Sequence, residues 1–294
     1  MRNERVRASA AKACAIILVA LFGAAVLTPA GAPAAEKMKP EEVVAKHLEA
    51  IGTAELRAPS RSRVASGDIS IVLRNSAEGG RPQGKGLIAS EGNKVLLNAA
   101  FEAADIPFER MGFDGKKLTI RQYRPGRRTA FGEFMLSHEV VFKEGLIGGA
   151  LTSAWPLLNL AERNPKLEYN GTDKINGRSA HKLGYKPRKG SDLKIKLFFD
   201  AETFRHVRTE YERVVAATMG GVPGASAGRV DTRYQFVEEF SDFKTEEGLT
   251  LPHTYSLRYM VTSEIGPVLM NWKFTLSEFS FNQAIDAKEF DTER

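Results

Sequence analysis

Asn271-Trp272-Lys273-Phe274-Thr275-Leu276 alternates polar and apolar side chains without a break. A strand sends successive side chains to opposite faces, so this run buries Trp272, Phe274 and Leu276 and wets the other side. Working outward, Tyr255, Leu257, Tyr259 and Val261 keep the same period against Ser256 and Arg258. Val230, Thr232, Tyr234 and Phe236 keep it against Asp231, Arg233 and Gln235. Ile195, Leu197 and Phe199 oppose Lys194 and Lys196, and Ile69, Ile71 and Leu73 oppose Asp68, Ser70 and Arg74. Beyond Leu276 the apolar phase slips by one, at Phe279 and Phe281, which predicts a bulge or a strand end. One-sided strands without βαβ alternation predict a mainly β, α+β chain whose antiparallel sheet is covered on one face and solvated on the other.

Turn signals divide the remaining strands. Short strands are expected over 86–90, 95–101 and 118–123, separated by Glu91-Gly92-Asn93 and Asp114-Gly115, with a further turn at Gly79-Gly80. Asn170-Gly171 and Asn176-Gly177 read as turns flanking strands over 167–169 and 180–185. Two helical interruptions are expected. The first spans 40–51, opened by Pro40, Glu41 and Glu42 and stopped by Gly52, with Val43, Val44, Leu48 and Ile51 on one side. The second, over about 137–164, is strongly apolar but broken by Gly145, Gly148, Gly149 and Pro156. It reads as a movable cover over the greasy face of the sheet.

The N-terminal residues read as an address. Arg2, Arg5, Arg7 and Lys12 precede an uncharged run from Ala13 to Ala35 that closes on Ala30-Gly31-Ala32 and Ala32-Pro33-Ala34. This is the pattern of a secretory signal over 1–35, cleaved near Ala35. Gly23, Pro29, Gly31 and Pro33 interrupt it before the roughly 20 apolar residues of a membrane span. Cys14, the only cysteine, lies ahead of the apolar stretch and forms no lipobox. Residues 36–294 are thus expected to be a single soluble periplasmic domain, without thiol chemistry or disulfides. Much of the formal +6 charge of the 294-residue chain sits in the leader. The remainder is mildly basic and does not call for nucleic acid.

Chemical motifs are sparse. Gly224-Ala225-Ser226-Ala227-Gly228 matches G-x-S-x-G, but a nucleophile elbow needs a strand, a tight turn and a helix. Here the surroundings read as a flexible loop over 218–229 followed by a strand, so a serine hydrolase using Ser226 is a remote alternative and no catalytic residue is assigned. His47, His138, His181, His206 and His253 show no local ligand spacing, so neither a metal nor a cofactor is predicted. His47 reads as a partly buried side chain. Arg121, Arg124, Arg127 and Arg128 gather around Pro125-Gly126, beside Tyr123. They read as a solvated hairpin tip or as a contact for anionic headgroups or a membrane surface.

A one-sided curved sheet under helices either fills its interior or leaves room for an apolar ligand. The candidates to line such a space are Leu48 from the first helix and Ile147, Leu151, Trp155 and Leu158 from the cover. From the strands come Phe199, Tyr234 and Phe236, together with Leu257, Tyr259, Trp272 and Phe274. Periodicity alone ranks a packed core and a cavity equally.

Several stretches carry a resemblance. These are Glu144-Gly145-Leu146-Ile147-Gly148-Gly149-Ala150-Leu151, Trp155-Pro156-Leu157-Leu158, and Leu197-Phe198-Phe199-Asp200-Ala201-Glu202-Thr203-Phe204. Glu239-Phe240-Ser241-Asp242-Phe243, Gly248-Leu249-Thr250-Leu251-Pro252-His253 and Ile285-Asp286-Ala287-Lys288-Glu289-Phe290 continue it. On these residues the chain resembles the LolA/LolB superfamily of outer-membrane lipoprotein-sorting proteins. The resemblance implies an unclosed antiparallel β-barrel with amphipathic helices forming a lid over a hydrophobic cavity. It implies non-catalytic binding and transport of lipoprotein acyl chains or other envelope lipid, by a monomer meeting inner- or outer-membrane partner proteins. A periplasmic sensor or interaction module on the same fold is the alternative. The chain departs from the pattern in the extra length at 218–229, and no arginine aligns with the lid-locking arginine of the carriers.

Overall fold

The computed structural model describes residues 38–73, 82–101, 106, 109–122, 124–217, 231–263 and 266–293. All of them fall in one unit, Lys37–Arg294. The leader over 1–35, Gly79-Gly80, Tyr123 and the 218–229 loop with Ser226 lie outside the described residues.

Helix α1, Pro40–Ile51, is the first predicted helix, with the Glu42 carboxylate accepting from the Lys39 N–H at its start. A single turn of helix, α2 (Ala54–Arg57), leads into β1 (Ser62–Leu73), β2 (Gln83–Glu91), β3 (Lys94–Phe101), β4 (Met111–Phe113) and β5 (Leu118–Ile120). A long crossing segment holds α3 (Ala130–Ser137), α4 (Val140–Lys143), 3-10 turns at Gly149–Leu151 and Pro156–Asn159, and α5 (Leu160–Arg163). Then follow β6 (Lys166–Ile175), β7 (Arg178–Lys186), β8 (Lys194–Asp200) and β9 (His206–Val215). The last strands are β10 (Thr232–Glu246), β11 (Leu249–Thr262) and β12 (Val268–Phe281), before a 3-10 turn at Ala287–Phe290.

All pairs are antiparallel, in the order β5-β4-β3-β2-β1-β12-β11-β10-β9-β8-β7-β6. The topology is two meanders stitched together by the first and last strands. β5 and β6 are the two edges, so the barrel is unclosed, as expected. The chain between them must travel from one edge to the other, and that journey is what lays the cover across the concave face.

Bulges bend the sheet where the apolar phase changes. Gly67 pairs with Leu276 but Ser66 pairs with Glu278, leaving Ser277 as the extra residue. That single insertion is the slip seen before Phe279 and Phe281. A Cβ at Gly67 would stand 2.0 Å from the Thr275 carbonyl oxygen, so the close approach needs glycine. Asn176 and Gly177 both have positive φ, 49° and 83°, as a two-residue hairpin turn requires.

Four expectations change. Asn170-Gly171 is a bulge within β6 rather than a turn, because the ladder resumes at Thr172 opposite His181. The strand expected over 118–123 stops at Ile120, where the chain enters the Arg124–Arg127 turn. β4 and β9 escape the periodic reading: β4 is three buried residues, and β9 turns His206, Thr209 and Tyr211 inward. The cover begins at Ala130 rather than 137, with Thr129 Oγ1 accepting from the Gly132 N–H as its cap.

Candidate functional site

The decisive stretch of the cover is Gly145 to Trp155. Gly148 and Gly149 have φ of 75° and 50°. A Cβ on Gly149 would stand 2.7 Å from His206 Nδ1 and 3.0 Å from Phe240 Cζ. Backbone therefore rests directly on the aromatic floor, and its polar groups come within reach of side chains rising from the sheet.

Those side chains form a latch. Arg63, on β1, donates from Nη1 to the Ala150 carbonyl at 2.6 Å and from Nε to Ser60 Oγ at 2.8 Å. It is buried, its Nη2 has no partner, and burial lowers its pKa to about 10, which leaves it a cation at neutral pH. Glu238, on β10, is fully buried. Its Oε1 accepts from the Gly148 N–H at 2.7 Å and the Tyr255 hydroxyl at 2.6 Å, and its Oε2 from the Tyr211 hydroxyl at 2.7 Å. Burial raises the carboxyl to about 7 even though all three donors pull the other way.

His47 supplies a third contact, from α1. Its Nδ1 lies 3.0 Å from the Phe204 carbonyl, which can only accept, so Nδ1 carries the proton. Its Nε2 is then free to accept from Trp155 Nε1–H, at 3.0 Å. Burial lowers its pKa to about 4, consistent with this neutral tautomer. His47 is thus wholly buried rather than partly so. Trp155 also stacks on His206, with ring centroids 4.6 Å apart. Burial holds His206 well below the ordinary histidine value, and its Nδ1 has no partner. Ser90 Oγ accepts from the Ser153 N–H at 2.9 Å, and Tyr185 donates to Glu144 Oε2 at 2.7 Å. Between Glu144 and Trp155 the cover is therefore tied to α1, β1, β2, β7 and β10.

The predicted lining residues divide into two sets. Ile147, Leu151, Trp155, Phe199, Phe236, Leu257, Tyr259, Trp272 and Phe274 come together in one cluster, none more than 2% exposed. Leu48, Leu158 and Tyr234 are half-buried and pack against that cluster. Side chains so fully covered are in close contact with one another. The expected room is taken by α3: the Phe131 ring packs at a tilt against Phe236, Tyr259 and Trp272, at 5.1, 5.6 and 5.0 Å between centroids. The cover is thus part of the core.

Glu109 anchors the start of α3. Its carboxylate accepts from the N–H and hydroxyl of Thr129, and burial raises it to about 7. Of the arginines, Arg121, Arg124 and Arg127 are exposed at the turn. Arg128 departs from them, donating to the Ile120 carbonyl and facing Glu133 and Glu293 at 3.9 and 3.8 Å.

Arg63 and Glu238 were not anticipated, although the pattern held a signal. Each lies in phase with inward apolar residues: Arg63 with Ala65 and Ile69, Glu238 with Phe236 and Phe240. A charge in an apolar phase marks a desolvated group that needs a purpose. Among the described residues, no group of three or more His, Cys, Asp or Glu could hold a metal. No helix among them is long and apolar enough to cross a membrane.

No family model matches the chain. No curated protein matches it either. Among solved structures, it is similar to a LolA superfamily protein from Nitrosomonas europaea, with 13% identity and a TM-score of 0.42, over 87% of this chain and 99% of that one. It is likewise similar to a DUF1329 family protein from Desulfovibrio piger, with 10% identity and a TM-score of 0.42, over 86% of this chain and 97% of that one.

Proposed function

We propose that the protein is a non-catalytic periplasmic carrier of an acyl chain of a lipoprotein or other envelope lipid, loaded when the cover lifts from the concave face. The observation that carries this reading is the latch. Two desolvated ionisable groups, Arg63 and Glu238, each make one hydrogen bond to cover backbone, at Ala150 and Gly148. A cover with no need to open would be held as well by apolar packing, which avoids the desolvation of buried charges. Polar contacts at discrete points instead define a closed state that can be lost in one step.

Magnitudes favour exchange. Each latch hydrogen bond is worth about 1 kcal/mol net, and about 1.5–3 kcal/mol where a charge takes part. Each buried acyl CH2 returns about 0.8 kcal/mol, so a chain of a dozen methylenes supplies on the order of 10 kcal/mol. A single chain therefore outweighs the latch hydrogen bonds and the burial of Phe131, and binding stays reversible because the other apolar residues of the cover must repack against the chain.

The test is purification without detergent from a bacterial periplasm, followed by native mass spectrometry and uptake of a fluorescent fatty acid. Co-purifying lipid is expected, with Arg63→Met and Glu238→Gln loading about tenfold faster than the unaltered protein. A lipid-free mass, with no uptake by the protein or by either variant, would sink the carrier reading.

A further inference from the structure

A cleft of about 910 Å³ lies where the cover reaches the turns of the sheet. Gly115 and Lys116, from the β4–β5 turn, form one wall, and Arg188 and Lys189, from the β7–β8 loop, contribute to the same cleft. These turns belong to opposite ends of the strand order, so the cleft sits across the open seam of the barrel. Ala154 and Trp155 of the cover and Phe113 of β4 border it, each at most 3% exposed.

The charges of the cleft are unevenly committed. Lys143 pairs with Glu139, and Arg163 donates to the carbonyls of Lys143 and Ala154. The two carboxylates are also engaged: Glu144 accepts from the Tyr185 hydroxyl and Glu162 from Asn159. Lys116, Arg188 and Lys189 are exposed; Lys116 has the exposed carboxylate of Asp114 as an electrostatic neighbour, and Arg188 and Lys189 form no ion pair with a carboxylate among the described residues. Two cations without an ion pair, Arg188 and Lys189, thus line one side of a space of ligand size, and Lys116, held only by an exposed neighbour, lines the other.

We propose that this cleft binds a phosphate-bearing group, with Lys116 on one side of the seam and Arg188 and Lys189 on the other. A phosphate monoester brings a charge of about −1.5 to −2 and three acceptor oxygens, which suits donors converging from separate loops. Arg188 can fork onto two of those oxygens while the lysines act as point charges. The cleft borders the cover at Ala154 and Trp155, so a lipid whose chain enters beneath the cover would present its headgroup here, and that headgroup is the natural source of the phosphate. In that form the site rests on the carrier reading and names its ligand class as an anionic phospholipid. A water-soluble phosphate ester presents the same chemistry.

The experiment compares the full chain with the triple variant Lys116→Gln, Arg188→Gln, Lys189→Gln, whose exposed positions leave the fold intact, as a melting curve verifies. Three probes are titrated: a fluorescent phosphatidic acid, the matching diacylglycerol, and glycerol 3-phosphate. Expected is phosphatidic acid binding about tenfold tighter than diacylglycerol, the gain vanishing in the triple variant while diacylglycerol binding is unchanged. If both lipids bind equally and the variant behaves alike, the cleft proposal is overturned and the carrier reading stands. If neither lipid binds, the carrier reading falls, and glycerol 3-phosphate decides the cleft. Binding lost in the triple variant supports a soluble phosphate ester as ligand, and no binding overturns the site.

Discussion

The cover meets the barrel in two very different ways. At Gly148–Ala150 it is dry: Arg63, Glu238 and His206 are buried and their partners are backbone groups, aliphatic hydroxyls or aromatic side chains. At the seam, only a few residues away, Lys143, Glu144 and Arg163 border an open cleft with Lys116, Arg188 and Lys189. The dry end concentrates energy, because each group there is desolvated and each lost partner leaves a buried orphan. The wet end contributes little to stability, because water already satisfies its charges. One continuous segment thus carries both the dry contacts and the border of the open cleft.

The largest expected effect lies at the dry end. Trp155→Ala removes a side chain 1% exposed, its stack on His206 and its hydrogen bond to His47. Denaturant unfolding should show a loss of about 3–5 kcal/mol. A loss below about 1 kcal/mol would mean the cover is a loose flap and would dissolve the contrast.

Next comes the pH dependence of Glu238. Its carboxyl is raised from 4.5 to about 7, so between those values the folded state binds more protons than the unfolded one. Stability from this group is therefore complete below about 4.5 and is lost as pH rises through about 7. Glu238→Gln removes that dependence. Between pH 5 and 8 the variant should gain on the parent by about 3 kcal/mol, read as a shallower fall in melting temperature. His47 acts in the opposite direction. Lowered from 6.5 to about 4, it costs stability as pH falls through that window, so a test confined to the acid side would mix the two.

Gly149→Ala should cost about 2 kcal/mol, from positive φ and from crowding against His206 and Phe240. The more telling readout is lipid uptake, which should quicken because the strain falls on the latched state. Equal stability and unchanged uptake would place the hinge of the cover elsewhere.

The sheet was legible because its inner faces are written in Tyr, Phe, Trp, Leu and Ile at every second position. Even the bulge at Ser277 showed as a phase slip at Phe279. β9 was illegible because its inward residues are His206, Thr209 and Tyr211, which carry little apolar contrast with Arg208 and Glu210. The cover was half legible. Its glycines were visible, but Ala130–Ser137 was not seen as its beginning, and so the ring that fills the interior, Phe131, was missed. The polar half of the site was hidden for a different reason. Arg63 and Glu238 look like ordinary surface charges until the strand parity is imposed on them. His47 shares the inner side of α1 with Val43, Val44 and Ile51, and looked like a bystander for the same reason.

The smallest expected effect is the sharpest check on the wet end. Lys116, Arg188 and Lys189 are exposed, and among the described residues Lys116 has only the exposed Asp114 carboxylate as an electrostatic neighbour. Changing all three to glutamine should move unfolding free energy by no more than about 0.5 kcal/mol, the range of ordinary surface substitutions. A larger loss would show that the three cations hold the seam through contacts of their own. A gain would show mutual repulsion relieved, and repulsion retained at a cost is what a site built for an anion requires. The sign of a small number at the seam therefore says more about binding than a large one at the latch.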